Sequence, residues 1–192
     1  MGPVCFIIDA LVTGAQLPRH LANIRSPYNE LANAPIVITA QQPDPRLARL
    51  QYHYQAQCLM MPALTLGARF NGTVAKLKAE WLIIALQKKP LPPGAWAGLT
   101  SKLDAHVVDA ILIKGSTSAL PIRLLQRLLT STQALPPYLV IHRSWLERLG
   151  GFDPELDSDA ISDFFHRLNA CPTRWNTLNN PRKNPANGNM PP

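Results

Sequence analysis

Short apolar runs separated by more polar segments dominate the first three quarters of this 192-residue chain. Most of the runs are rich in β-branched residues or are bounded by proline and glycine, which is typical of buried strands. The pattern predicts six strands, at 4–8, 36–39, 58–61, 81–86, 107–113 and 138–141.

Segments with helical spacing of their apolar residues lie between most of these strands. They cover 16–24, 68–78, 94–103 and 120–129. Strands that alternate with helices along a chain imply a largely parallel sheet. We therefore expect a three-layer α/β domain, with a mostly parallel central sheet and helices on both of its faces.

The last part of the chain departs from this alternation. A short helix is predicted over 143–149, where Gly150-Gly151 ends it, and a final helix over 158–170 follows an acidic loop. The sequence after residue 170 is rich in proline and asparagine and offers little to bury. We therefore predict one domain over 1–170 and a disordered tail over 171–192.

Composition supports a single domain that works in a reducing compartment. Hydrophobic residues make up 46% of the chain, but no run approaches the ~20 apolar residues that span a bilayer. The apolar run at 4–8 has no basic segment before it and does not resemble a signal peptide. Cys5, Cys58 and Cys171 are odd in number and lack metal-ligand spacing. We expect a cytoplasmic protein without a membrane span.

The formal net charge of +7 raises nucleic-acid binding as an alternative. Up to residue 146, the 14 basic and 6 acidic residues are scattered mostly singly, whereas 147–163 holds six acids and one arginine. This distribution argues against a nucleic-acid surface. It suits an anionic small ligand, an acidic partner protein or simple solubility equally well.

Three local patterns occur in a fixed order along the chain. Asn71 is followed by a helix and then by Glu80 and Trp81 at the entry to a strand. A proline-rich turn covers 90–96. The segment 143–153 begins with a basic residue, continues as a short helix and ends in Gly-Gly-Phe-Asp.

Together these patterns resemble the family 2 glycosyltransferases with a GT-A fold, over roughly residues 3–170. The resemblance implies a domain that binds a sugar nucleotide and transfers its sugar. In that family, the strand after the Glu-aromatic pair ends in Asp-x-Asp, which holds a divalent cation against the diphosphate of the donor.

This chain has Leu86-Gln87-Lys88 where the resemblance implies the Asp-x-Asp motif. Leucine offers no ligand and lysine repels a cation, so we expect no metal site and no other cofactor. Thr39-Ala40 stand where the family usually has acidic residues that contact the nucleoside. Asp44, a little downstream, is the one carboxylate that fits that pattern.

The general base that the resemblance implies is also missing. Ala160-Ile161 stand at its positions, so Asp153, Asp157 and Asp159 of the preceding acidic loop are the candidate catalytic residues. The alternative is that these acids are solvated and lie near the positive end of the last helix.

Two lysines could replace the metal ion. Lys88 and Lys89 would lie at the carboxyl ends of the strands, where open α/β sheets bind ligands, and could neutralise a diphosphate. With Asn71 and Asp44 they form the predicted nucleotide-binding and phosphate-binding residues. The alternative is a solvated turn before Pro90.

Three functions remain open. The first is a glycosyltransferase-like binding or assembly subunit that has lost sugar transfer, with a nucleoside diphosphate or nucleotide sugar as ligand. It implies a partner protein or a homo-oligomer, with Trp96, Trp145 and Phe165 as candidate anchors. The second is an active, metal-independent glycosyltransferase that uses Lys88 and Lys89. The third is a basic nucleic-acid-binding α/β protein.

Overall fold

The computed structural model describes residues 2–91, 94–104, 108–114 and 135–179. The helix predicted at 120–129 lies outside these residues. Seven strands form one sheet: β1 (Val4–Asp9), β2 (Ile36–Ala40), β3 (Gln57–Met60), β4 (Trp81–Ala85), β5 (Ala110–Lys114), β6 (Tyr138–His142) and β7 (Trp175–Asn179).

Helices connect most of the strands. A short 3-10 turn, Gly14–Gln16, separates the first two. The α-helices are α1 (Ala10–Thr13), α2 (Leu17–Ile24), α3 (Pro45–Tyr54), α4 (Leu66–Lys76), α5 (Leu99–Asp104), α6 (Arg143–Arg148) and α7 (Ala160–Ala170).

The strand order is β3-β2-β1-β4-β6-β5-β7. β6 runs antiparallel to its neighbours β4 and β5, and the other pairs are parallel. Phe6 of β1 lies opposite Ile36 on one side and Ile83 on the other. The predicted mixed α/β fold with a mostly parallel sheet is confirmed.

Both faces of the sheet are buried, which explains why the strands read as continuous apolar runs. Phe6 and Ile8 belong to a core on one face, which also contains Leu21 of α2 and Leu47 of α3. Alternate residues of the same strand, such as Ile7, face the opposite core. That second core includes apolar side chains of α4, α6 and α7, namely Phe70, Leu146 and Phe164. The domain therefore has three layers.

The predicted tail differs from the structure at its beginning. Residues 175–179 form β7, which pairs in parallel with β5. Leu178 is buried in the core, and Arg174 makes an ion pair of 2.8 Å with Asp109. The disorder prediction is wrong for this stretch, because two apolar residues among asparagines suffice for an edge strand. Residues 180–192 lie outside the described part of the chain.

The aromatic residues proposed as surface anchors pack inside the domain. Trp96 and Phe165 are buried, and Trp96 contacts Phe6 edge-on. Trp145 is partly buried, and its Nε1 donates a hydrogen bond to the Thr173 hydroxyl. The prediction that Trp96 and Phe165 anchor an interface is therefore wrong, because both side chains pack in the core.

Candidate functional site

The carboxyl ends of β1, β2, β3 and β4 meet at one edge of the sheet, which we call the carboxyl edge. From β1 the chain leads to β2 on one side of the sheet, and from β4 it leads to β5 on the other side. The loops that follow β1 and β4 therefore diverge. Open α/β sheets bind ligands in the crevice that forms at such a point. This crevice is the candidate functional site.

A buried ion pair lies beneath the crevice. Asp9, the last residue of β1, is fully buried, and Arg69 of α4 is 2% exposed. The Arg69 Nε lies 2.8 Å from the Asp9 Oδ2. The sequence patterns did not reveal this pair, because its partners are 60 residues apart.

Main-chain groups complete the coordination of this ion pair. Asp9 Oδ1 accepts hydrogen bonds from the amides of Leu11 and Val12, at 3.0 and 3.1 Å, and so caps α1. Arg69 Nη1 donates to the carbonyl of Leu64 at 2.7 Å. The pair therefore joins β1, α1, α4 and the loop after β3.

The end of β2 presents no free polar side chain to the crevice. Thr39 and Ala40 are both buried. The Thr39 hydroxyl lies 2.9 Å from the hydroxyl of Thr73, which in turn donates to the carbonyl of Arg69 at 2.8 Å. The hydroxyl of Thr39 is thus committed to α4.

Asp44 lies further along the loop after β2 and caps α3. Its Oδ1 accepts from the amide of Arg46 at 2.8 Å, and its Oδ2 makes an exposed ion pair of 2.7 Å with the same residue. Hydrogen bonds from the Arg46 side chain and amide hold the pKa of Asp44 below its usual value. Its contact with a nucleoside stays a prediction.

The segment after β4, residues 86–89, is the lysine turn. Leu86 is buried, and its amide donates to the carbonyl of Pro137 at 2.9 Å. The side chain of Gln87 donates to the carbonyl of Leu135. Lys88 and Lys89 are exposed. The main chain of the turn is therefore held while both ammonium groups face solvent.

His20 of α2 braces the lysine turn from the other side. It is fully buried, and its Nε2 donates to the carbonyl of Lys88 at 3.1 Å. Its Nδ1 therefore accepts from the Tyr138 hydroxyl. Burial raises the pKa of Tyr138, which keeps this donor protonated. Asn23 of the same helix donates to the carbonyl of Leu91 at 2.5 Å.

The lysine turn lies beside the loop that follows β1. The Cε of Lys88 is 3.9 Å from the position that a β-carbon on Gly14 would occupy. Lys88 is thus at the crevice between β1 and β4, where a ligand of this fold class binds.

Asn71 makes a contact within the protein. Its Nδ2 donates to the carbonyl of Phe152 at 2.6 Å, and its Oδ1 accepts from the amide of Phe152 at 2.9 Å. Both ends of the carboxamide therefore join α4 to the Gly-Gly-Phe-Asp segment. A role in ligand binding stays a prediction for this residue.

The acidic loop, residues 153–159, packs on the beginning of α4. Asp157 Oδ1 accepts from the amide of Leu66 at 3.0 Å, so it caps that helix from a distance. A β-carbon on Gly67 would lie 1.8 Å from the carbonyl oxygen of Asp153, so this approach requires glycine. Asp153 Oδ1 accepts from the amide of Glu155 at 2.9 Å.

Asp159 is exposed and makes no side-chain cap at the start of α7. The two residues at the positions implied for the general base, Ala160 and Ile161, are buried in the core. A catalytic role for Asp153, Asp157 or Asp159 stays a prediction.

Within residues 2–91, 94–104, 108–114 and 135–179, no three His, Cys, Asp or Glu side chains cluster closely enough to hold a metal ion. No helix in the same part of the chain has the length and apolar character needed to cross a bilayer.

We predict that Arg69→Met lowers the free energy of unfolding by about 3 to 5 kcal/mol, because it leaves the Asp9 carboxylate buried without its countercharge. Urea denaturation measures this change. The matched control is Arg46→Met, which breaks an exposed ion pair and should change stability little. Equal effects of the two substitutions would contradict the structural role of the buried pair.

A second prediction concerns pH. Burial lowers the pKa of His20, while its hydrogen bond to the Lys88 carbonyl opposes this shift. The unfolded chain therefore takes up a proton on this histidine more readily near pH 6.5 than the folded protein does, so stability should fall as pH drops from about 7 to 5.

His20→Gln should flatten this pH dependence, measured by urea denaturation at several pH values. His53→Gln, at an exposed position of α3, is the control and should keep most of the wild-type slope. A wild-type slope in the His20 variant would show that another group causes the effect.

The fold is similar to those of solved glycosyltransferase structures. Residues 1–349 of S. aureus TarS match with a TM-score of 0.69 and 12% identity, over 92% of this chain and 58% of that chain. The mannosyltransferase PcManGT from Pyrobaculum calidifontis, solved with GDP-Man and Mn²⁺, matches with a TM-score of 0.65 and 15% identity, over 92% and 54%.

Glucosyl-3-phosphoglycerate synthase from Mycobacterium tuberculosis, in complex with UDP, gives a TM-score of 0.59 at 13% identity, over 93% of this chain and 70% of that chain. The chain spans little more than half the length of the first two proteins. No protein-family model and no curated protein sequence matches it. At these identities the likeness shows the fold, and the chain has a GT-A-like fold.

Proposed function

We propose that this chain is a glycosyltransferase-like subunit that binds a nucleoside diphosphate or nucleotide sugar without a metal ion and has lost metal-dependent sugar transfer. The lysine turn carries this proposal. Where the resemblance implies two carboxylates after β4, the chain has a buried Leu86 and an exposed Lys88. Mg²⁺ and Mn²⁺ require oxygen ligands, and an ammonium group opposes their binding.

The position of Lys88 supports an anionic ligand. Its side chain reaches Gly14, so its charge lies at the crevice. A charge pair at 4 Å contributes about 4 kcal/mol at an effective dielectric near 20, before desolvation and screening by solvent are subtracted. The bond from His20 to the Lys88 carbonyl fixes the main chain in advance, which reduces the entropy lost on binding.

The structures with a similar fold support the class of ligand. The mannosyltransferase was solved with GDP-Man and Mn²⁺, and the synthase with UDP. TarS was solved with UDP-GlcNAc. These ligands share a nucleoside diphosphate, which is the portion that we propose for this chain. The proposal does not include the metal ion, because the lysine turn offers such an ion no carboxylate.

The absence of a general base at the implied positions supports the loss of sugar transfer. Ala160 and Ile161 occupy the positions implied for the general base, and both are buried and without a titratable group. Asp157 is used as a cap of α4. A base must lie within hydrogen-bond reach of the acceptor hydroxyl, so these positions provide none.

The exposed carboxylate of Asp159 favours one alternative, an active transferase that needs no metal. In this alternative Lys88 and Lys89 neutralise the leaving diphosphate, and an acid of the 153–159 loop accepts the proton of the acceptor hydroxyl. Both functions share the same binding site. They differ in whether sugar is transferred from the donor.

We further propose that the subunit acts in a complex, either with a second copy or with another protein, because the positions implied for the general base hold the buried Ala160 and Ile161, so that another chain would have to supply the groups that act on the bound ligand. We also propose a cytoplasmic location, since all three cysteines are unpaired and a reducing compartment keeps thiols free. Light scattering and recovery of bound proteins from native cells test the first point. A monomer without a partner would contradict it.

Calorimetry with UDP and GDP in EDTA tests the binding proposal. We expect binding to the wild type, no tightening on addition of Mn²⁺, and at least tenfold weaker binding to Lys88→Glu, because the substitution places a negative charge beside the diphosphate. Lys78→Glu is the matched control, because it makes the same charge change at an exposed position that precedes β4, at the opposite edge.

Absence of binding, or binding that requires Mn²⁺, would contradict the proposed function. Release of UDP from UDP-sugars in the presence of sugar acceptors, lost in Asp159→Asn, would favour the active transferase instead. Tight binding of nucleic acid that weakens steeply with salt would favour the third function.

A further inference from the structure

The edge strand β3 offers unpaired main-chain groups. β2 is its one neighbour in the described sheet, and the amide of Met61 donates to the carbonyl of Ala40 at 2.8 Å. Because the main-chain groups of a strand alternate between its two sides, those of Leu59 also face β2, whereas those of Cys58 and Met60 face outward. No segment in the described part of the chain bonds to this outer side. β3 can therefore accept a further strand.

The sequence of β3 lacks the usual protection of an edge strand. Natural proteins commonly protect such a strand with a charged side chain or a proline. Gln57–Met60 contains neither, and residues 50–68 form the longest stretch of the chain without Asp, Glu, Lys or Arg. Met60 is 39% exposed. The edge is therefore uncharged and partly apolar in a protein whose formal net charge is +7.

One side of α3 continues this uncharged surface. Its residues are exposed and recur at spacings of three and four, namely Ala48, Gln51, Tyr52 and the capping residue Gln55. Together with His53 and Ala56 they line an open hollow, and Ala56 directly precedes β3. Tyr52 is 91% exposed. The two exposed arginines of the helix, Arg46 and Arg49, lie on a different side.

These features favour a second copy of the chain as the partner. A two-fold interface brings the same surface of both copies together, so charges on that surface would meet like charges. An uncharged strand and an uncharged helix side avoid this repulsion, although each copy carries a net charge of +7. An acidic partner would instead be attracted to the side of α3 that carries the arginines.

We propose that two copies of this chain form a dimer in which their β3 strands pair antiparallel. The two-fold axis passes between the two Leu59 residues. Cys58 of each copy then lies opposite Met60 of the other, and both pairs exchange their main-chain hydrogen bonds. An axis at Cys58 or at Met60 would pair that residue with itself and leave the other outward residue beyond the end of the strand.

The pairing joins the two sheets into one. α3 packs through Leu47 on one face of the sheet, so the two α3 helices lie on the same face of the joined sheet. The uncharged side of α3, which adjoins β3 at the hollow, then faces the other copy. Tyr52 of each copy loses its exposure to solvent in this arrangement.

This dimer specifies the complex proposed above, but it rests on β3 and α3 and not on the ligand. The lysine turn follows β4, which β1 and β2 separate from β3. Failure of the dimer would therefore leave metal-free nucleotide binding intact, and failure of nucleotide binding would leave the dimer intact.

Light scattering over a range of protein concentrations tests the dimer. We expect twice the chain mass of 21.2 kDa for the wild type. Met60→Pro should have the mass of one chain, because proline removes an outward amide that β2 does not use. Met60→Ala keeps this amide, so it is the matched control and should remain a dimer. A wild type that is monomeric at every concentration, or a Met60→Pro variant that is still a dimer, would overturn the proposal.

Tyr52→Lys tests the helix side without changing the main chain. It places one positive charge on each copy at the interface, so the dissociation constant of the dimer should rise roughly tenfold or more. Leu11→Lys is the control, because Leu11 is 60% exposed on α1 and lies outside the interface. Equal weakening by both substitutions would contradict the role of α3, since net charge alone would then explain the effect.

Cysteine cross-linking tests the register. Leu59→Cys in a Cys58→Ser background should form a disulfide between the two copies, because the Cα atoms of such a non-hydrogen-bonded pair are about 4.5 Å apart. Gln57→Cys in the same background is the control and should not, since its two copies lie about 13 Å apart along the strands. Cross-linking through Gln57→Cys that equals or exceeds that of Leu59→Cys would refute the proposed pairing.

Hydrogen exchange identifies any other segment that covers β3. In the dimer the amide of Met60 is bonded to the second copy, so it should exchange slowly and should exchange faster on dilution. Slow exchange that does not change with concentration, in a protein with the mass of one chain, would show that another segment of the same chain covers the strand. That result would overturn the dimer.

Discussion

The buried ion pair of Asp9 and Arg69 fixes the geometry of the carboxyl edge. It connects the end of the central strand β1 with α4, and its remaining contacts hold the start of α1 and the loop after β3. Replacing a buried ion pair by apolar residues often costs no stability, whereas removal of one partner is costly. We infer that this pair matters chiefly for the arrangement of the loops that surround the crevice.

This arrangement decides which chemistry the crevice can support. Asp9 is the only carboxylate at the end of β1, and it is directed inward to Arg69. The lysine turn follows β4 in place of carboxylates, and His20 and Gln87 hold its main chain. At the ends of β1 and β4, the edge therefore combines a carboxylate that is bonded within the protein with two exposed lysines. That combination suits an anion without a metal ion better than a metal-bound diphosphate.

Much of the fold could be predicted from the sequence, because strands buried on both faces appear as continuous apolar runs. The position of Lys88 could also be predicted, since it directly follows such a strand. α3 was not predicted, because Leu47 is its one fully buried side chain. β7 was not predicted either, because its two apolar residues lie among asparagines.

The contacts that define the site are long-range, and no local pattern reveals them. The sequence does not distinguish Arg69 from the other scattered basic residues, whereas the structure pairs it with Asp9. Asn71 had the right spacing for the family pattern, but its carboxamide bonds to Phe152, 81 residues away. The brace from His20 to Lys88 spans 68 residues. Such pairs depend on the sheet order, which the apolar pattern alone does not determine.

The most direct test of the central claim, metal-free nucleotide binding at the lysine turn, is a crystal structure of the protein with UDP and EDTA. The account predicts that the diphosphate lies within about 3 Å of the Lys88 ammonium, between the loops that follow β1 and β4. UDP bound elsewhere, or bound only when Mn²⁺ replaces EDTA and with the ion at the lysine turn, would contradict it.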